Sequence, residues 1–128
     1  MLLNISNHPS SRWDEKQTSA AIADWFGVMD YPFPQINPAM QTNDVCRLAE
    51  YIFNEINNDP KYEDVTAVMI QGEFSLVINL ANIFHAAGIE VVVATSERNT
   101  VENPDGTKTV KFEFCQFRSV FFNKFFEE

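Results

Sequence analysis

The clearest periodicity in the chain lies between Thr66 and Arg98, TAVMIQGEFSLVINLANIFHAAGIEVVVATSER. Thr66–Gln71 is an apolar run too brief for a helix, and it ends at Gly72. Val77, Leu80, Ala81 and Phe84 then recur at helical spacing, with Leu76, Ile83 and Ala87 widening the stripe. Gly88 is placed to stop that helix in a left-handed cap, because glycine has no Cβ to clash there. Glu90–Thr95 is β-branched and nearly uncharged, the pattern of a parallel strand covered on both faces. The spacing predicts a right-handed strand–helix–strand unit. Two polar loops, Gln71–Ser75 and Thr95–Arg98, are then expected at the carboxyl ends of its strands, the edge where open α/β sheets bind ligands.

The rest of the chain extends this unit at both ends. Leu2–Ser6 reads as a short apolar strand, followed by the loop Asn7-His8-Pro9-Ser10-Ser11, in which Pro9 pushes His8 toward an extended conformation. Ser11 is the expected cap of a helix from about Arg12 to Phe26, with Asp14 completing a modest capping box and Gly27 ending the helix. Val28–Tyr31 reads as a second strand, closed by Pro32-Phe33-Pro34. After a loop, Thr42 or Asn43 is expected to cap a helix whose apolar stripe is Val45, Leu48, Ala49, Ile52, Phe53 and Ile56. Beyond Arg98, Glu102–Lys108 carries the Pro and Asp-Gly of a hairpin loop. In the arm Thr109–Val120, positions Val110, Phe112, Phe114, Gln116 and Arg118 oppose Lys111, Glu113, Cys115 and Phe117.

The fold expected is therefore α/β: a three-layer Rossmann-like sandwich, mostly parallel, with a C-terminal antiparallel hairpin as a separate addition to the sheet. Strand order 2-1-3-4 is expected for the parallel core, with a switch point between the first and third strands. One domain is expected, with a core over residues 1–97 and a hairpin with a phenylalanine-rich tail over residues 98–128. That tail, FFNKFFEE, has four phenylalanines in eight residues, which predicts docking on the domain itself or in a subunit interface.

Charge narrows the partners. The formal net charge is −9, with 3 basic against 8 acidic residues up to Pro60 and 6 against 10 after it. There is no basic run to track the phosphates of duplex nucleic acid. A small anion is still compatible with this balance, since helix N-termini and a single arginine can hold one. Cys46 and Cys115 lie far apart without a CxxC partner, as expected of buried reduced thiols. MLLNISNHP is too short for a signal sequence, and no apolar run approaches roughly 20 residues. A soluble cytoplasmic protein without membrane contact is expected.

Three polar segments can carry chemistry, and each has a bland alternative. Asn7, His8, Ser10 and Ser11, following Ser6, supply an imidazole, hydroxyls and the open N–H groups of a helix start, or else only cap and solvate a turn. Gly72, Glu73 and Ser75 open a helix after a buried strand, where Gly72 permits close approach of a ligand, yet Glu73 is also what a helix dipole prefers. Thr95, Ser96, Glu97 and Arg98 place hydroxyls and a guanidinium at a strand end, where Arg98 can fork onto a phosphate or only pair with Glu97 or Glu73. His85, beside Phe84 on the buried helix, reads as structural. No GxGxxG or P-loop indicates a standard dinucleotide or triphosphate, no HxH or HExxH spacing indicates a metal, and no GxSxG elbow indicates a serine hydrolase. Neither a cofactor nor a metal is expected.

A short first strand running into SNHPSS, a strand ending in QGE before a helix, and a strand ending in ATSER together resemble small CRISPR-associated Rossmann-fold proteins. These include cyclic oligoadenylate sensor domains and standalone ring nucleases. The resemblance covers Met1 to about Thr95, and it implies a homodimer with the ligand lying across the two-fold axis over the strand ends. Ser6, His8, Ser10, Gly72, Glu73, Ser96 and Arg98 are then the implied binding positions. The expected function is binding of a small nucleotide-type or other anionic ligand at the carboxyl edge of the sheet. The alternatives are a metal-independent, ring nuclease-like enzyme using His8 with Ser10 or Ser11, and a non-catalytic protein-interaction subunit.

Overall fold

Strand β1 (Leu2–Ser6) is buried along its whole length, because strands flank it on both sides and helices cover both faces. In the computed structural model, which describes residues 1–122, β1 pairs in parallel with β2 (Val28–Pro32) and with β3 (Ala67–Ile70). Strand β3 pairs in parallel with β4 (Glu90–Glu102), and β4 pairs antiparallel with β5 (Lys108–Ser119). The sheet order is β2-β1-β3-β4-β5. The expected order of the parallel core and its switch point between β1 and β3 are both present.

Alternation along the strands divides the core into two layers. Leu3, Ile5, Val68, Ile70 and Val91 point toward helices α2 (Thr42–Asn58) and α3 (Phe74–Ala86). Leu2, Ala67, Met69 and Val92 point to the other face, against Trp13 and helix α1 (Glu15–Trp25). Helix α2 contributes Val45, Ala49, Ile52 and Ile56, and α3 contributes Leu76, Leu80, Ala81 and Phe84, close to the stripes read from the sequence. The α1 layer is thinner, since Ala21 is the sole buried residue of that helix.

Several boundaries move, each for a local reason. A single 3₁₀ turn at Ser10–Arg12 precedes α1, whose cap is Asp14 rather than Ser11; its carboxylate accepts from Gln17 N at 2.8 Å. Helix α1 ends with Phe26 itself in the left-handed region (φ 69°), one residue before the glycine expected there. Gln41 caps α2 in place of Thr42 or Asn43, its N–H donating to Asp44 Oδ2 at 3.0 Å. Gly88, at φ 81°, follows α3 as expected.

The largest correction concerns Thr95–Arg98, which is not a loop. Strand β4 runs unbroken through it to Glu102, and the hairpin is formed by β4 with β5. The backbone polar groups of this segment are satisfied by β5, so its polar side chains do not end the strand. Thr95 pairs with Gln116 and Ser96 with Phe114, leaving Cys115 as one extra residue in a β-bulge. The bulge slips the alternation of β5, so Phe117 joins the face of Phe114, ring centroids 4.9 Å apart, instead of opposing it. Beyond the bulge the two strands leave the sheet as a ribbon about 20 Å long.

Candidate functional site

At the carboxyl end of β1, side chains at alternate positions Leu2, Asn4 and Ser6 share the α1 face, and the last two of these are polar. Asn4 is 0% exposed and Ser6 5% exposed. A buried amide must find partners, and Asn4 finds them in three segments of chain. Its Nδ2 donates to Asp30 Oδ1 at 2.8 Å and to the His8 carbonyl at 2.9 Å, while its Oδ1 accepts from Ser6 Oγ at 2.7 Å. Asp30 lies directly beside Asn4 on β2, and it accepts from Ser10 N at 3.0 Å and Ser10 Oγ at 2.8 Å. The His8 N–H donates to Ser6 Oγ at 3.1 Å. The loop Asn7–Ser11 is thus held by its backbone, while the side chains of Asn7, His8 and Ser11 face solvent. Ser6 and Ser10 are part of the frame that holds the loop.

Across the switch point, the loop after β3 is held locally. Glu73 caps α3, accepting from Ser75 Oγ at 2.6 Å, Leu76 N at 2.9 Å and Ser75 N at 3.1 Å. The Ser75 hydroxyl first, then the Leu76 and Ser75 N–H groups, hold its carboxyl below the usual carboxylate range. The N–H groups that would meet an anion at this helix start already meet Glu73. Gly72 serves packing: a Cβ there would lie 2.5 Å from Cε1 of the buried Phe33 ring.

The third segment stands apart from these two. By register Ser6 is level with Ala94, so the Arg98 backbone lies about 13 Å beyond Ser6 and about 10 Å, two strand spacings, to the side. Thr95 Oγ1 bonds to the Gln116 backbone, donating to its carbonyl at 3.1 Å and accepting from its N–H at 3.2 Å, which pins the bulge. Ser96, Glu97 and Arg98 are exposed. Arg98 forms neither the Glu97 nor the Glu73 pair, for the ion pair among the described residues joins Lys61 to Asp59. The structure therefore brings together Ser6, His8, Ser10 and Asp30, places Gly72, Glu73 and Ser75 across the crevice, and sets Arg98 on the ribbon. Asn4 and Asp30 carry no signal in LLNIS and VMDYP beyond a polar residue in the middle of each short strand.

The chain matches the family described as the Uncharacterized protein MJ1673 family over residues 1–118. It belongs to that family. No curated protein and no solved structure matches it. The match to the MJ1673 family extends from β1 into β5 and so takes in the ribbon as well as the parallel core.

Other features of this MJ1673-family chain lie away from that crevice. At the opposite, amino edge, a cleft of about 400 Å³ is lined by Phe53, Ile56, Tyr62, Val65, Phe84 and Ile89 with the polar Asn57–Asp59 segment. His85 is exposed rather than buried, and its ring stacks on Phe121 at 3.9 Å between centroids. The remainder of the expected tail contact, residues 123–128, lies outside the described residues. Cys46 is half-buried against Asn79, and Cys115 is exposed at the bulge, where the sequence suggested burial. Burial, then the Glu55 carboxylate, pushes the Tyr31 phenol up to about 12. Among the described residues no cluster of three or more His, Cys, Asp or Glu side chains is placed to hold a metal ion. Likewise no helix there is long and apolar enough to cross a membrane.

Proposed function

We propose that this chain binds a small nucleotide-type or other anionic ligand in the crevice between the loops after β1 and β3. The observation that carries the reading is the fully buried Asn4, which ties His8, Ser6 and Asp30 into one frame. A polar amide in the middle of a central strand gains little for stability over a well-packed apolar residue. Its product is a loop of fixed backbone whose solvent-facing groups are the His8 imidazole, the Ser11 hydroxyl and, next to them, Arg12. Fixed geometry at the switch-point edge is what ligand recognition in α/β sheets uses. Asp14 and Glu73 occupy the two adjacent helix starts, so the negative charge falls to Arg12, which has no ion-pair partner among the described residues. The resemblance to CRISPR-associated Rossmann-fold proteins favours a cyclic oligonucleotide and a homodimer, and the two free cysteines favour a cytoplasmic setting.

A thermal-shift screen of purified protein against mononucleotides, cyclic oligoadenylates and small organic acids tests this. A ligand binding only the folded state raises the melting temperature, and the shift should shrink in Arg12→Ala. A flat response across all three classes would overturn the reading. The exposed His8 ring on a tethered backbone favours a second one, metal-independent phosphodiester cleavage with His8 as acid or base and Ser11 positioning the reacting group. For that case, His8→Ala should keep the thermal shift and lose turnover.

A further inference from the structure

The ribbon beyond Cys115 has two unlike faces. Residues directly opposite in an antiparallel pair share a face, so Ser96 with Phe114, Arg98 with Phe112, and Thr100 with Val110 form one side. That side continues the aromatic α1 layer, in which Phe117 packs on Trp13 and Trp25 and contacts Phe114. Phe114 is buried, but the stripe then runs into the open, with Phe112 69% and Val110 40% exposed. The other side sets Glu97 directly against Glu113, an unfavourable pair that leaves that face anionic. A two-stranded ribbon without further cover is marginal in water, and its apolar, arginine-bearing side is the one lacking cover.

The complementary surface is present on the same molecule. Every helix that follows a parallel strand starts at the carboxyl edge, and each start carries a carboxylate: Asp14 and Glu15, Asp44, and Glu73. Asp30 adds a fifth carboxylate to this rim, against the cations Arg12 and Lys16 of the first loop and helix start. The ribbon rises from that same edge and runs away from it, so it does not reach its own rim. A second copy facing it across a two-fold axis brings each ribbon over the other rim, closing two identical contacts at once.

We propose that the Arg98–Phe112 face of the ribbon docks on the acidic carboxyl edge of a second copy of the chain. Arg98 is thereby delivered to the β1–β3 crevice of the other copy, which its own ribbon holds it away from. The role of Arg98 toward a ligand rests on the reading above, whereas the dimer contact does not.

Sedimentation equilibrium of the full chain, without any ligand, tests the contact. The protein should be a dimer whose dissociation constant rises with salt and rises at least about 30-fold in Phe112→Glu, as for loss of an aromatic anchor at an interface centre. The far-UV spectrum and cooperative melting of Phe112→Glu should remain those of the parent. In parallel, Ser11→Cys combined with Thr100→Cys, in a Cys115→Ser background, should cross-link between chains with a short bismaleimide. A monomer at all concentrations, a dimer unaffected by Phe112→Glu, or a double variant that fails to link would each overturn the proposal. A flat ligand screen on a confirmed dimer would instead count against the binding reading alone.

Discussion

The loops after β1 and β3 occupy equivalent positions, each leaving a fully buried strand and entering a helix, yet they are held in opposite ways. After β1, local bonds among Asn4, Ser6 and His8 are joined by long-range ones: Asn4 reaches Asp30 on the neighbouring strand, and Ser10 reaches the same carboxylate from the far side of the loop. After β3, the contacts are local: Glu73 bonds only within its own helix start, and Gly72 is fixed by what it must leave room for. One loop spends tertiary structure on placing polar groups, and the other spends it on starting a helix. The difference locates the part of the crevice where recognition is built in advance.

The comparison is broken most directly at Asn4. Asn4→Ala removes the donor to Asp30 and the His8 carbonyl and the acceptor for Ser6. Asp30 keeps Ser10, and the His8 carbonyl and Ser6 keep each other, so the loss is that of three hydrogen bonds at ~0.5–1.5 kcal/mol net each, about 3 kcal/mol in urea unfolding. Any ligand response should disappear with it, while a loss below about 1 kcal/mol would show that the network is not the frame described. Next in size is Gly72→Ala. Its new methyl meets the Phe33 ring, so unfolding should show a loss of ~1–3 kcal/mol, largely restored when Phe33→Leu is added. Without that restoration the glycine would serve something other than packing.

The smallest effect sharpens the contrast by its pH dependence. The Glu73 carboxyl is held below its ordinary value in the folded chain. Its contribution is therefore present above about pH 4.5, the unfolded value, and is lost as pH falls through the lower folded value. Glu73→Gln should lower the melting temperature slightly at neutral pH and flatten the acid limb of the stability curve below about pH 4.5. An unchanged acid limb would show that the cap does not depend on the charge.

Much of this architecture was legible because burial writes itself as periodicity. The run AVMI in β3 and the stripes of α2 and α3 could hardly be read otherwise, and the parallel core order is the one a Rossmann-like sandwich with its switch point between the first and third strands calls for. The polar frame was not legible, because one Asn in LLNIS and one Asp in VMDYP become partners only when two strands are laid side by side. Glu73 is open to two readings from its position, and the capping one describes its bonds. Thr95–Arg98 misled for the converse reason. Polar side chains in sequence suggest a loop, but an antiparallel partner satisfies the backbone whatever the side chains are. The spacing Phe112, Phe114, Phe117, with its break from two to three, was the available sign of the bulge.

That bulge makes the ribbon tolerant of a kind of change that substitutions do not produce. Because Cys115 is the single residue by which β5 outnumbers β4 at this point, deleting its codon would restore strict alternation. Phe112 and Phe114 would stay opposite Arg98 and Ser96, on the side they hold now. The parallel core would keep its register as well. A lineage can thus lose one residue here without turning the outer ribbon over, whereas the same loss farther out would exchange the sides of every side chain beyond it.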